Sequence, residues 1–189
     1  MLTKSDYRYF DKARQTATIS DFYKTHIGCV AVYQGSIIGI GCNCNKTHPI
    51  QKKYNKYRKP SDTMLPKLHA EINCINFIRH LNINFSKVKL YIYRIRKDQP
   101  FGLSRPCPSC MVAIKDLGIK DIYYTTNDGY VHEQIEKYNI GGVTYDCVRF
   151  VEGASDIAID VQIILHQKRV IIVLLVVMES MMVKNILKI

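Results

Sequence analysis

An α/β fold, with helices on the faces of a mixed or parallel sheet, is the architecture that this 189-residue sequence predicts. Three observations carry it. A strand-like run at 87–96, a helical pattern from Cys107 and a second β-rich run at 119–125 follow one another, and such crossover units put helices on sheet faces. Two β-rich runs flank Gln34-Gly35 and read as a hairpin. Residues 3–24 and 68–81 carry apolar side chains at helical spacing.

Taken in order, the first helix is expected over 3–24, capped by Ser5 or Asp6, with Tyr9, Phe10, Ala13, Ala17 and Phe22 on its apolar side. The hairpin spans 27–42, and Gly39 and Gly41 suggest close backbone approach near its end. Asn43 and Asn45 follow, suited either to a sugar hydroxyl or to a turn. Residues 46–67 show no strong period and read as a loop. They hold seven Lys or Arg (Lys46, Lys52, Lys53, Lys56, Arg58, Lys59, Lys67), one acid, Asp62, and the interleaved Tyr54 and Tyr57. The helix over 68–81 is expected to bury two stripes, Ala70, Cys74, Phe77, Leu81 and Leu68, Ile72, Ile75, Ile78, and to end at Asn82. Val88, Leu90 and Ile92 alternate with Lys89, Tyr91 and Tyr93 along a clear strand. The helix from Cys107 ends at Gly118, and Ile119–Thr125 is a short strand. Asn127-Asp128-Gly129 is a turn, 130–139 reads as a short helix and 142–150 as a last strand.

Two units follow from this: a domain over 1–150 and an apolar C-terminal tail over 151–189 to which no role is assigned. The tail alternates at 156–166 and is uniformly apolar at 170–178, too short for a helix to span a bilayer, so no membrane partner is expected. The net charge of +11, from 27 Lys and Arg against 16 Asp and Glu, points to an anionic partner. The seven Cys are odd in number, and the polar N-terminus shows no secretory signal, so reduced thiols in the cytoplasm are expected. Cys29, Cys42, Cys44, Cys74 and Cys147 read as small buried apolar residues, with a second zinc on Cys42, Cys44 and His48 as an alternative.

The chemistry concentrates in two stretches. His69-Ala70-Glu71 is followed, after 34 residues, by Pro106-Cys107-Pro108-Ser109-Cys110. Cys107 and Cys110, three apart at a helix start, share one face and can chelate one ion, while Pro108 fits the first turn. A helix N-terminus favours thiolates. His69 and Glu71, two apart, point different ways, so Glu71 can reach past a metal instead of binding it. One imidazole and two thiols are three ligands, and they leave the fourth tetrahedral position of a zinc ion to water.

The sequence resembles the cytidine and deoxycytidylate deaminase superfamily. The resemblance runs over about residues 5–125: His26-Ile-Gly-Cys-Val-Ala-Val, Gly41-Cys-Asn43, His69-Ala-Glu71, Pro106-Cys-Pro-Ser-Cys110 and Gly118-Ile-Lys-Asp-Ile-Tyr. It implies a three-layer α/β/α fold with a central mixed sheet, Zn2+ on His69, Cys107 and Cys110, Glu71 as proton shuttle, and Asn43 near the ribose. Two features depart from the family pattern: extra residues at Asp98 to Arg105, and Cys42 where a bulky aromatic is common. The expected function is hydrolytic deamination of a cytosine nucleotide, deoxycytidylate first, to the uracil product and ammonia. Ala70 is a candidate substrate contact, and Lys52, Lys53 and Arg58 are candidates for the phosphate. An alternative is cytosine or adenine within single-stranded DNA or RNA, with Tyr54 and Tyr57 stacking on bases. A second alternative is a non-catalytic zinc-stabilised binding module. A homo-oligomer is compatible with the family.

Overall fold

The computed structural model describes residues 2–58, 67–96, 98, 101–140 and 143–152. Helix α1 spans Lys4–Ala17 and is capped by Thr3, not by Ser5 or Asp6. Asp6 instead closes a capping box: its amide donates to Thr3 Oγ1, and the Thr3 amide donates to its carboxylate at 2.7 Å. The helix stops before the expected residue 24 because the chain turns at Ser20, whose hydroxyl reaches the Asn43 carbonyl at 2.7 Å. Strands β1 (His26–Tyr33) and β2 (Ser36–Cys42) form the expected hairpin. Its turn residues Gln34 and Gly35 have φ of 49° and 82°, the left-handed pair that matches strand twist in a two-residue hairpin.

The expected loop at 46–67 contains a helix, α2 (Pro49–Asn55). His48 caps it, its Nδ1 accepting from the Ile50 amide at 3.2 Å, and Pro49 opens it. The buried face of α2 is Gln51 and Tyr54, too short and too polar to show as an apolar period. Helix α3 is Ala70–Ile78, shorter than 68–81, with Arg79 rather than Asn82 at its C-cap. Phe77 is 63% exposed and Leu81 40%, so the buried face is Ala70, Ile72, Cys74, Ile75 and Ile78. Strand β3 (Val88–Ile95), helix α4 (Pro108–Leu117), its left-handed Gly118 cap with φ of 87°, and β4 (Asp121–Thr125) lie where expected.

Residues 130–139 are not a helix. They lie in β5 (Tyr130–Ile140), which pairs antiparallel with both β4 and β6 (Val143–Glu152). The inward positions are Val131, Glu133 and Ile135, and the buried carboxylate at the middle of this row hides the two-residue period. The alternating run at 156–166 and the apolar run at 170–178 lie outside the described residues.

The strands form one mixed sheet in the order β2-β1-β3-β4-β5-β6, with only β3 and β4 parallel. Alternation divides the core into two layers. Val30, Val32, Tyr91 and Tyr93 face α1 through Tyr9, Phe10 and Ala13. Cys29, Ala31, Leu90 and Ile92 face the other way, onto α3 and α4. This is the three-layer α/β/α arrangement. Burying one large side chain such as Phe10 is worth about 1.5–3 kcal/mol, which ties α1 to the sheet.

The sheet is squeezed where β1 meets the end of β2. A Cβ at Gly28 would lie 2.1 Å from the Ala13 carbonyl oxygen of α1. A Cβ at Gly41 would lie 2.4 Å from the Cys74 amide nitrogen of α3. Cys29 pairs with Gly41 and Gly28 with Cys42, so the two close approaches occur at adjacent rungs. The expectation of close backbone approach at Gly41 is met, and it sets the height of α3 above the sheet.

Candidate functional site

Topology brings the motif residues to one end of the sheet. β2 runs in the same direction as β3, since both are antiparallel to β1. The α3 N-terminus lies downstream of β2 and the α4 N-terminus downstream of β3. Both helix starts therefore sit at one end of the sheet, the carboxyl end of β2 and β3, the usual crevice for ligands in α/β sheets.

His69 is the N-cap of α3 and Cys107 the N-cap of α4, and neither side chain caps its own helix. They face each other instead. His69 Nδ1 lies 3.5 Å from Cys107 Sγ and 3.3 Å from Cys110 Sγ. All three ligand atoms lie within 4.8 Å of one another. A tetrahedral zinc with bonds of about 2.0 Å to nitrogen and 2.3 Å to sulfur sets ligands about 3.6–3.8 Å apart, so the triangle fits the ion with small adjustment. Imidazole and thiolate are also the donors zinc favours. A thiolate is at hand: the hydrogen bond from Cys110, against burial and with help from His69 and Ser109, holds the Cys107 thiol down to about 3. Burial pushes Cys110 up, as the second member of the pair. No other group of three such ligands assembles among the described residues. In the alternative set, Cys42 and Cys44 sulfurs lie 3.9 Å apart, but His48 spends Nδ1 on the α2 cap.

Glu71, one position into α3 beyond Ala70, is 4% exposed and outside the ligand triangle. Burial raises its carboxyl above the ordinary value of 4.5, opposed by the charge of His69. A cavity of about 220 Å³ opens onto His69, Glu71 and Cys107. Ala70 and Asn43 line it as well. The Asn43 side chain is largely occupied: its Oδ1 accepts from the Ile27 amide at 2.8 Å and its Nδ2 donates to the Thr25 carbonyl at 2.7 Å. It fixes the entry to β1 from beside the cavity.

The basic segment divides. Arg58 and Lys67 line the cavity. Lys52 and Lys53 are exposed on α2 and are not part of the lining. Tyr54 is buried and Tyr57 packs against the core, and Lys53 and Lys56 lie over their rings at 5.1 and 5.0 Å. Lys59 and Asp62 lie outside the described residues.

Two contributors were missed in the sequence. Gln51, fully buried on α2, accepts the His69 amide proton on Oε1 at 3.0 Å and so positions the imidazole. An isolated Gln in a helix without an apolar period gives no signal. Gln51→Leu is expected to reduce zinc retention against a chelator by about 10-fold, as loss of an outer-shell partner does. Unchanged retention would remove Gln51 from the support of the site. Arg105 also lines the cavity. The signal was its adjacency to Pro106-Cys107. Its main chain is fixed by Ser104, whose amide donates to the Thr125 carbonyl at 2.8 Å and whose hydroxyl donates to the Ile92 carbonyl at 2.9 Å.

A family model described as the cytidine and deoxycytidylate deaminase zinc-binding region matches residues 3–126. Among solved structures, the chain is similar to the dCMP deaminase of the cyanophage S-TIM5 in apo form: 22% identity, 66% of this chain and 84% of that one, TM-score 0.46. The same phage protein in complex with dCMP and dUMP matches at 21% identity over 66% and 82%, TM-score 0.47. A cytidine deaminase from Burkholderia pseudomallei matches at 13% identity over 77% and 91%, TM-score 0.44. No curated protein matches the chain.

Proposed function

Because the chain belongs to the cytidine and deoxycytidylate deaminase family, we propose that it hydrolyses the amino group of a cytosine nucleotide, deoxycytidylate first, giving the uracil nucleotide and ammonia. The observation that carries this is the pairing of the His69, Cys107 and Cys110 triangle with a buried carboxylate, Glu71, on the same cavity and outside the ligand set. A closed structural site would use a fourth protein ligand and would need no such acid.

His69, Cys107 and Cys110 would hold zinc, which when bound would make a water nucleophilic near neutral pH. Glu71 takes a proton from the attacking water as oxygen adds to the ring carbon that bears the amino group. It passes that proton to the adjacent ring nitrogen. It then takes the second proton from the newly added hydroxyl and delivers it to the amino nitrogen, which leaves as ammonia while the carbonyl of uracil forms. Burial raises the Glu71 carboxyl above its ordinary value, which suits a group that must give protons as well as take them. Arg58 and Lys67 supply positive charge for the phosphate.

The test is an ammonia-release screen over dCMP, CMP, deoxycytidine, adenosine monophosphate and single-stranded oligomers, with zinc supplied. Turnover of dCMP well above the others is expected. Release from none would leave the zinc-stabilised binding module as the better reading. The exposed Lys52 and Lys53 on α2 and Lys56 at its C-cap favour a second reading, a cytosine or adenine in a single strand whose backbone crosses that helix. Salt separates the two. Affinity for a polymer falls steeply as counterions are released from several phosphates, and affinity for a mononucleotide falls gently.

A further inference from the structure

We propose that Arg105 recognises the phosphate of the cytosine nucleotide and that the buried Glu133 holds it in place; this rests on the deaminase reading above. Arg105 lines the cavity with His69, Glu71 and Cys107. Its Nε donates to Glu133 Oε1 at 2.7 Å. The planar guanidinium matches phosphate geometry better than an ammonium does.

Glu133 is the unusual member. It lies on β5, beyond residue 126 where the family match ends, and is 0% exposed between the inward Val131 and Ile135. The Tyr124 hydroxyl donates to the same Oε1. Oε2 is buried with no hydrogen-bond partner among the described residues. A buried carboxylate with one dry oxygen is a poor source of stability, and an apolar residue like its neighbours would serve the core better. What Glu133 does accomplish is to fix one edge of the Arg105 guanidinium. Ser104, bonded across the ends of β3 and β4, fixes the main chain behind it. Arg105 is thus held at both ends, as a specificity residue requires. Arg58 and Lys67 share the lining, so cations outnumber the single carboxylate, Glu71.

The experiment uses the zinc-loaded full chain and two readouts: the ratio of kcat/KM for dCMP to that for deoxycytidine, and calorimetric binding of dUMP and deoxyuridine. Arg105→Gln is expected to lower the dCMP ratio and dUMP affinity by about 10- to 100-fold, the range for a charge-assisted contact, with the nucleosides within about 2-fold. Glu133→Gln keeps the shape and an oxygen for both donors but removes the charge that holds the guanidinium, and is expected to cost dCMP and dUMP about 5-fold selectively. The double variant should be no worse than Arg105→Gln alone. If Glu133→Gln does not fold, Arg105→Lys, which keeps the charge but loses the Nε contact, is expected to show the same selective loss. An equal loss for nucleotide and nucleoside, or an unchanged ratio, overturns the proposal and leaves the deaminase reading standing. A wild-type chain that retains zinc but neither binds nor converts any of the four ligands overturns both.

Discussion

Glu71→Gln is expected to lower kcat on a cytosine nucleotide by about 10²- to 10⁴-fold, the usual contribution of a positioned acid–base group. The amide matches the carboxyl in size, so α3 and the cavity wall should keep their form. It can neither accept the proton of an attacking water nor deliver one to the leaving nitrogen. Because Glu71 lies outside the ligand triangle, zinc content should stay at the wild-type level. Nucleotide binding should stay near it as well. Metal analysis, dUMP titration and single-turnover rates on the same preparation check all three. A variant that holds zinc and turns over at the wild-type rate would remove Glu71 from the chemistry.

Cys110→Ser is expected to abolish activity and to weaken zinc retention by at least about 100-fold, beyond the range seen for outer-shell changes. Cys110 is fully buried, and its sulfur lies 3.3 Å from His69 Nδ1. A hydroxyl there is a poorer donor than a thiolate and falls short of the ion. Stability should follow. A ligand present at a thousandfold above its Kd adds about 4 kcal/mol to the folded state. The wild type should therefore lose thermal stability on chelation, and the variant should show little further loss. Equal zinc retention in wild type and variant would mean that the triangle is not the metal site.

The motif residues were legible because their geometry is local. Cys107 and Cys110 are one helical turn apart, and His69 and Glu71 begin a helix whose face is strongly apolar. Spacing alone announces such pairs. The hairpin, β3, β4 and the Gly118 cap were legible for the same reason, since turn chemistry and short periods mark them. Two of the misreadings share a cause, a polar side chain that is buried. Gln51 made α2 look like loop, although it serves His69. Glu133 broke the alternation of β5 and made a helix the better reading, although it serves Arg105. Thr3 was overlooked as a cap because Asp6, its partner in the box, is the stronger signal. Phe77 and Leu81 erred the other way, as apolar residues on the solvent side of α3 and just beyond it. The partners of Gln51 and Glu133 lie 18 and 28 residues away in the chain, where no local period can reveal them.

The close approaches at Gly28 and Gly41 bear on how this enzyme could be re-engineered. Backbone of α3 rests on Gly41, and backbone of α1 presses from the opposite side at Gly28, so no flexible side chain sits at either contact to absorb an error. Repacking Leu90, Ile92 or Ile122 draws on the ordinary tolerance of an apolar core. A methyl group at 41 would instead lift the helix that begins at His69 and carries Glu71. Libraries meant to change substrate preference should diversify the cavity wall and leave these two positions untouched.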